Sequence, residues 1–154
     1  MLFPQPVFLA VAGGGALLSV AHYFVKVRSV TGQVPVHFNL FGLPDSTAAP
    51  WAFVMYPIMS VGLAAVMMYT ALAPRATAVL LNNSVEQVSA RASLLWGQFA
   101  VLTCQYYAAS IAEGSAERVP TPVMCALYGA LAAVSAAVLA TKNTIQSRRR
   151  CAFP

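Results

Sequence analysis

The stretch "PVFLAVAGGGALLSVAHYFV", residues 6–25, decides the fold class of this chain. It carries no charged side chain, and a helix needs about 20 apolar residues to cross the hydrocarbon core of a bilayer. The whole chain shares this character, since 59% of its 154 residues are hydrophobic and 8% are charged. Soluble domains carry charges on about a quarter of their residues. A chain of this size cannot hide so much apolar surface from water, so the sequence predicts an integral membrane protein.

Further segments have the length and apolar character of a membrane span. Besides residues 6–25, we expect spans at residues 51–72, 88–112 and 123–141. The first lacks the basic leader of a cleaved signal peptide, so we expect it to be retained. Pro57 lies about two turns into the second span and predicts a kink there. The prediction is therefore one all-α transmembrane domain over residues 1–154, a four-helix bundle with a structured loop, residues 27–50, between helices 1 and 2.

Basic residues near the span ends predict the orientation, because they are enriched on the cytoplasmic side. With an even number of crossings, both termini share a side with the connection between the second and third spans. That side holds Arg75, Arg91, Lys142, Arg148, Arg149 and Arg150. The opposite side holds Lys26, Arg28 and Arg118. We expect both termini on the cytoplasmic side, or on the equivalent side of an organelle inner membrane, and the loop on the other.

Five residues are predicted to mediate helix–helix packing: Gly14, Gly15, Gln98, Gln105 and Gly129. Small residues let helix backbones approach closely in lipid, where no hydrophobic force drives helices together. The two glutamines are seven positions apart and therefore share one face of the third helix. An amide in lipid is costly unless it is paired, so this face points into the bundle or at a partner.

Aromatic residues near the predicted span ends are candidate interfacial anchors, because such rings favour the boundary between lipid and water. They are Trp51, Tyr56, Trp96 and Tyr128.

The predicted loop contains "VPVHFNLFGLPD", residues 34–45, in which polar and turn-forming residues are concentrated. Pro35 stops the first helix, and Gly42 permits a backbone turn. His37 and Asp45 bracket the turn and are placed to hydrogen-bond, while Phe38 and Phe41 are expected to insert into the mouth of the bundle or the lipid interface. The stretch therefore predicts an ordered cap over one end of the helices, with a structural or ligand-binding role. Its motif residues are Pro35, His37, Phe38, Asn39, Gly42, Pro44 and Asp45.

These positions, between a first and a second membrane helix, resemble the signature of a known family. Pro35-x-His37-Phe38-Asn39-x-x-Gly42-x-Pro44-Asp45 is similar to a small membrane domain of unknown function in bacterial SdpI-type, toxin-immunity-related proteins. The similarity covers roughly residues 22–65. In the family a basic residue follows the aspartate after a few positions, and here "STAAPWA" follows instead. The resemblance implies a membrane protein whose outer loop binds a ligand or a peptide toxin.

Catalysis has little support in the sequence. No nucleophile has a base at recognisable spacing, and no Asp or Glu lies within a predicted span. Cys104, Cys125 and Cys151 have neither metal-ligand nor redox spacing. We therefore predict no enzyme activity, no metal and no cofactor. A metal site combining His22 with His37 and Asp45, with Glu113 and Glu117 on the same side, stays open as an alternative, as does proton handling by His37.

The predicted function follows from these features. We expect a structural or accessory subunit of a larger membrane complex, with an energy-transducing complex of an organelle as one candidate. Its partners are the lipid bilayer and other membrane subunits. Three arginines in the tail suit anionic lipid heads but are too few for a nucleic-acid partner. The alternative is a stand-alone SdpI-like protein that binds a ligand or toxin in immunity or signalling, and a small transporter comes third.

Overall fold

The computed structural model describes residues 5–73 and 84–151, without the side chains of residues 84–86, 137, 138 and 141–151. Within these ranges the chain is mostly helical, which confirms the all-α class. The helices are α1 (Gln5–Lys26), α2 (Met55–Leu72), α3 (Ser84–Ala112) and α4 (Thr121–Cys151). Between α1 and α2 lie two short strands, β1 (Val34–Phe38) and β2 (Pro44–Ala48), and a 3-10 helix, Pro50–Val54. The strands were not predicted from the sequence.

The helices differ in how well they suit a bilayer. In the described part of the chain, Gln5–Lys26 and Pro50–Leu72 are long and apolar enough to cross a membrane, and α4 is apolar over Thr121–Ala136. This indicates membrane association by length and composition, while the four-span arrangement stays a prediction. Part of the orientation argument lies outside the described residues, namely Arg75 and the side chains of Lys142, Arg148, Arg149 and Arg150.

Helix α3 is the centre of the bundle, because it packs against α1, α2 and α4. Two apolar clusters fill the contacts among the first three helices. One, towards the start of α1, contains Phe8, Ala12, Ala64, Met67 and Ala71. The other, at the end that carries the strands, contains Val30, Val34, Phe53, Tyr56, Val101, Ala108 and Ala109. The indole N–H of Trp96 donates to the Leu127 carbonyl at 2.8 Å and so ties α3 to α4.

The second apolar helix starts in two steps, which changes the expected role of Pro57. Pro50 is the first residue of the 3-10 helix, and α2 begins at Met55. Pro57 therefore lies in the first turn of α2, where the backbone N–H groups have no partner within the helix in any case. The reason for the predicted kink disappears.

Two buried glutamines connect α3 to its neighbours through the same kind of contact. Gln98 and Gln105 are each 1% exposed. Gln105 accepts from the Ser19 hydroxyl at 2.5 Å and donates to the Ser19 carbonyl at 2.9 Å. In the amide orientation that satisfies both of its ends, Gln98 accepts from the Ser60 hydroxyl at 2.6 Å and donates to the Ser60 carbonyl at 3.2 Å. Each glutamine thus bonds to the hydroxyl and to the backbone carbonyl of one serine. This serine lies on α1 for Gln105 and on α2 for Gln98.

Gly15 makes room for one of these contacts. A Cβ atom at Gly15 would lie 2.8 Å from the Cγ atom of Gln98 and closer still to its amide group, whereas a Cβ at neighbouring Gly14 would have nothing within 4 Å. The close approach of α1 to α3 at Gln98 therefore requires glycine at position 15.

We predict that Gly15→Ala displaces Gln98 from Ser60 and lowers the free energy of unfolding by about 1–3 kcal/mol, the usual cost of overpacking. Gly14→Ala is the matched control. It should leave stability unchanged or raise it by up to about 1 kcal/mol, because alanine is the better helix former. Thermal unfolding in detergent micelles measures both. Equal melting temperatures for the two variants would contradict this packing.

Candidate functional site

The two strands form an antiparallel hairpin over one end of the bundle. Val34 pairs with Ala48 and Phe38 with Pro44, and the register shifts on both sides of His37. At its base the Tyr56 hydroxyl donates to the Pro35 carbonyl at 2.5 Å, in a buried contact. The Tyr56 hydroxyl therefore holds the hairpin on α2. This buried contact differs from the interfacial anchor that the sequence suggested.

The other end of the hairpin is fixed to the connection between α3 and α4. The Val119 backbone N–H donates to the Gly42 carbonyl at 2.9 Å. Gly42 has a φ of +77°, and a Cβ there would run into the Val119 carbonyl oxygen. The hairpin is thus attached at both ends, to α2 by Pro35 and to the start of α4 by Gly42.

Asn39 organises the turn between the strands. Its side-chain oxygen accepts from the backbone N–H groups of Phe41 and Leu43 at 2.9 and 3.1 Å. Its own backbone N–H donates to the Leu43 carbonyl, and its carbonyl accepts from Gly42, both at 2.9 Å. A short asparagine side chain is well suited to bonding nearby backbone groups in this way. Two motif residues, Asn39 and Gly42, therefore build the turn itself.

His37 and Asp45 are brought together on the surface of the hairpin. His37 Nδ1 lies 2.5 Å from Asp45 Oδ1, with the two side chains 69% and 43% exposed. His22 takes no part, because its ring lies against Phe53 and Tyr106 and its Nε2 is buried without a hydrogen-bond partner. Among the described residues, no group of three or more His, Cys, Asp or Glu side chains is placed to hold a metal. The alternative metal site of His22, His37 and Asp45 is therefore not assembled.

The insertion into the bundle expected for the two phenylalanines of the stretch is seen for Phe38, and for Phe41 insertion stays a prediction. Phe38 packs against the buried cluster of Val119, Met124 and Leu127 at the start of α4. Phe41 is 69% exposed at the turn. Phe38 therefore closes the mouth of the bundle, and Phe41 points away from it.

An ion pair beside the hairpin joins the ends of α1 and α3. Lys26 Nζ lies 2.8 Å from Glu113 Oε2, and the Ser29 hydroxyl donates to Glu113 Oε1 at 2.5 Å. The hydrogen bonds from Lys26 and Ser29 hold the pKa of the Glu113 carboxyl below its ordinary value. The pair was not predicted, because the sequence does not indicate which of the charged residues near different helix ends lie next to each other.

The predicted packing residues have different fates. Gly15 contacts Gln98, and both glutamines lie inside the bundle rather than on an outward face. Gly14 lines an open groove of about 260 Å³ between α1 and α3. A Cβ at Gly14 or Gly129 would have nothing within 4 Å. No helix of the described part packs against these two glycines, so their predicted packing would have to involve a helix of another chain and stays a prediction.

Ser19, Ser60 and Val119 are the residues that matter most here and that sequence reasoning did not assign to these contacts. The serines had a signal, because a hydroxyl in an apolar span needs a partner just as an amide does. Val119 had none, since its contribution is a backbone N–H. Of the cysteines, Cys104 is half-buried and Cys125 exposed, both as free thiols, and the side chain of Cys151 lies outside the described part.

In comparisons with known proteins, no family model, curated protein or solved structure matches the chain. The likeness to SdpI-type proteins therefore rests on the motif residues of the hairpin alone.

We predict that Gly42→Ala loosens the hairpin from Val119. The left-handed backbone costs a residue with a Cβ about 1–2 kcal/mol, and the collision with Val119 should add about 1–3 kcal/mol. Gly114→Ala is the matched control, because Gly114 has a φ of +74° and nothing within 4 Å of its Cβ position. Thermal unfolding in micelles compares them. A Gly42→Ala variant no less stable than Gly114→Ala would show that the turn does not dock on Val119.

We predict that Glu113 makes stability pH-dependent in the acidic range. Because its pKa is lowered in the folded chain, its contribution is present above the ordinary glutamate pKa of about 4.3 and is lost as pH falls through the folded value. Glu113→Gln should be less stable at neutral pH and should lack this acid-induced loss. Unfolding measured over a pH series tests it, with Glu117→Gln, an exposed position, as the control. Parallel pH curves for wild type and Glu113→Gln would refute the prediction.

Proposed function

We propose that this chain is a non-catalytic multi-pass membrane protein that serves as a structural or accessory subunit of a larger membrane complex, with an organelle inner membrane as a candidate location. Its outward helix faces support this assignment. Large apolar side chains project from α1 and α2 along their whole length, including Leu17 (73% exposed), Ile58 and Leu72. A bilayer covers such faces, and water does not.

The observation that carries the subunit proposal is the open groove between α1 and α3. Gly14 forms part of its floor, and its lining is otherwise nearly all apolar: Ala10, Val11, Gly15, Leu18, Leu95, Gln98, Phe99 and Leu102. A small-residue floor allows a second helix to approach closely in lipid. We infer that a helix of a partner subunit packs there.

The polar chemistry of the bundle supports a packing role over a transport role. Gln98 is the one polar side chain of the groove, and its amide is taken up by Ser60. Gln105 is taken up by Ser19 in the same way. A path for an ion or a polar solute needs groups that can exchange partners with the cargo. These amides are instead occupied in holding the helices together.

Gentle detergent extraction followed by a native gel and mass spectrometry tests the proposal. We expect the wild-type chain to migrate in a large species with other membrane proteins. Gly14→Leu should release it from that species while its melting temperature stays close to that of the wild type. Gly62→Leu is the control, because Gly62 is also exposed and free of neighbours within 4 Å but lies on α2. Migration of the wild type as a free monomer or as a small oligomer of itself would overturn the subunit proposal.

The second candidate function is that of an SdpI-like protein that binds a ligand or a peptide toxin. The exposure of the His37–Asp45 pair supports it. Exposed ion pairs contribute only about 0–1 kcal/mol to stability. A donor and acceptor presented on a firmly attached hairpin are available to a peptide or another polar ligand. His37→Ala with Asp45→Asn should then abolish co-purification of that ligand without lowering the melting temperature. Loss of thermal stability with unchanged ligand capture would identify the pair as structural only.

A further inference from the structure

We propose that the tip of the hairpin, residues 39–43, inserts into the interfacial layer of the bilayer. The inference goes beyond the subunit role and rests on the membrane assignment within it. Its starting point is exposure: the side chains of Leu40 and Phe41 are 68% and 69% exposed, and that of Leu43 is also exposed. Large apolar and aromatic side chains of this kind favour the boundary between headgroups and acyl chains.

The backbone of the tip is prepared to leave water. The N–H groups of Phe41 and Leu43 donate to the Asn39 side chain, and that of Gly42 donates to the Asn39 carbonyl. The Gly42 carbonyl accepts from Val119. Moving a polar group out of water costs several kcal/mol only when it lacks a hydrogen-bond partner. Insertion of the tip therefore desolvates fewer unpaired backbone groups than insertion of a loop without these bonds would. The groups of the tip without such a bond are the N–H of Leu40 and the carbonyls of Leu40 and Phe41.

The charge of the hairpin is also compatible with a lipid surface. Between Ser29 and Pro50 the sequence has only two ionisable side chains, His37 and Asp45. They face each other at 2.5 Å. Both belong to the strands, just outside the tip. The tip itself carries no charge to be desolvated.

The position of the tip places it at the membrane boundary. Gly42 lies against Val119 and the side chain of Met124. Met124 belongs to the first turn of α4, which begins at Thr121 and starts with an apolar segment. The tip is therefore level with the start of that helix, at its side, where the hydrocarbon core gives way to headgroups. Ser46 and Thr47, which are exposed and polar, lie on β2 away from the turn.

Depth-dependent fluorescence quenching tests the insertion. In a full-length chain with its three cysteines replaced by serine, single cysteines at Phe41, Leu40, Ser46 and Leu17 carry an environment-sensitive dye. The variants are reconstituted in phosphatidylcholine vesicles brominated either near the headgroups or near the chain ends. Aqueous iodide serves as the opposing quencher. Thermal unfolding verifies that each labelled variant folds like the wild type, and positions 40 and 41 report on the tip independently.

We expect dyes at Phe41 and Leu40 to have blue-shifted emission, to be quenched by bromine near the headgroups and to be shielded from iodide. The dye at Ser46 should respond to iodide alone. Dyes at both tip positions that respond to iodide as Ser46 does would overturn the insertion. The dye at Leu17, near the middle of α1, separates this failure from a wider one, because it should respond to bromine near the chain ends. If it does not, the membrane assignment fails and the inference fails with it.

Discussion

The hydrogen bonds between two glutamines and two serines fix the arrangement on which the rest of the bundle depends. A side-chain amide buried among apolar helices cannot hydrogen-bond to water, so its partners have to lie on the neighbouring helices. Gln98 bonds to Ser60 and Gln105 to Ser19, each through a hydroxyl and a carbonyl. Apolar side chains alone would let α3 slide along α1 and α2, since many offsets bury similar area. The paired amides select one offset, and Gly15 lets the helices come close enough to reach it.

The same requirement explains the hairpin. An irregular segment over an apolar bundle presents many backbone groups, and here Asn39, Tyr56 and Val119 bond to several of those at its turn and base. With the polar groups bonded internally, the surfaces left for other molecules are mainly apolar: the groove at Gly14 and the side chains around Phe41. The proposed roles of both surfaces, one towards a protein helix and one towards lipid, follow from this division.

Sequence reasoning reached the elements but not their partners. Long apolar runs predicted the helices, and the spacing of Gln98 and Gln105 predicted a shared face, because both signals are local. The serines opposite them depend on which helix lies alongside, which periodicity within one helix does not encode. The strands were missed because each contains a proline and the register shifts around His37, which obscures the alternation of a regular strand. The bond from Trp96 to Leu127 was missed for the same reason as the serines, because it joins two helices.

The contact between Gly42 and Val119 has a consequence for biosynthesis, since chains emerge from the ribosome starting at the amino terminus. The hairpin is made early, yet the group that holds its turn belongs to a segment made after three of the helices. Until that segment emerges, the nascent hairpin is held at its base, by the bond between Pro35 and Tyr56 and by the packing of Val34, but not at its turn. Once the segment before the last helix is made, the Val119 N–H can bond to the Gly42 carbonyl and fix the turn of the hairpin. A chain truncated before Val119 would leave its hairpin loose and open to quality-control proteases.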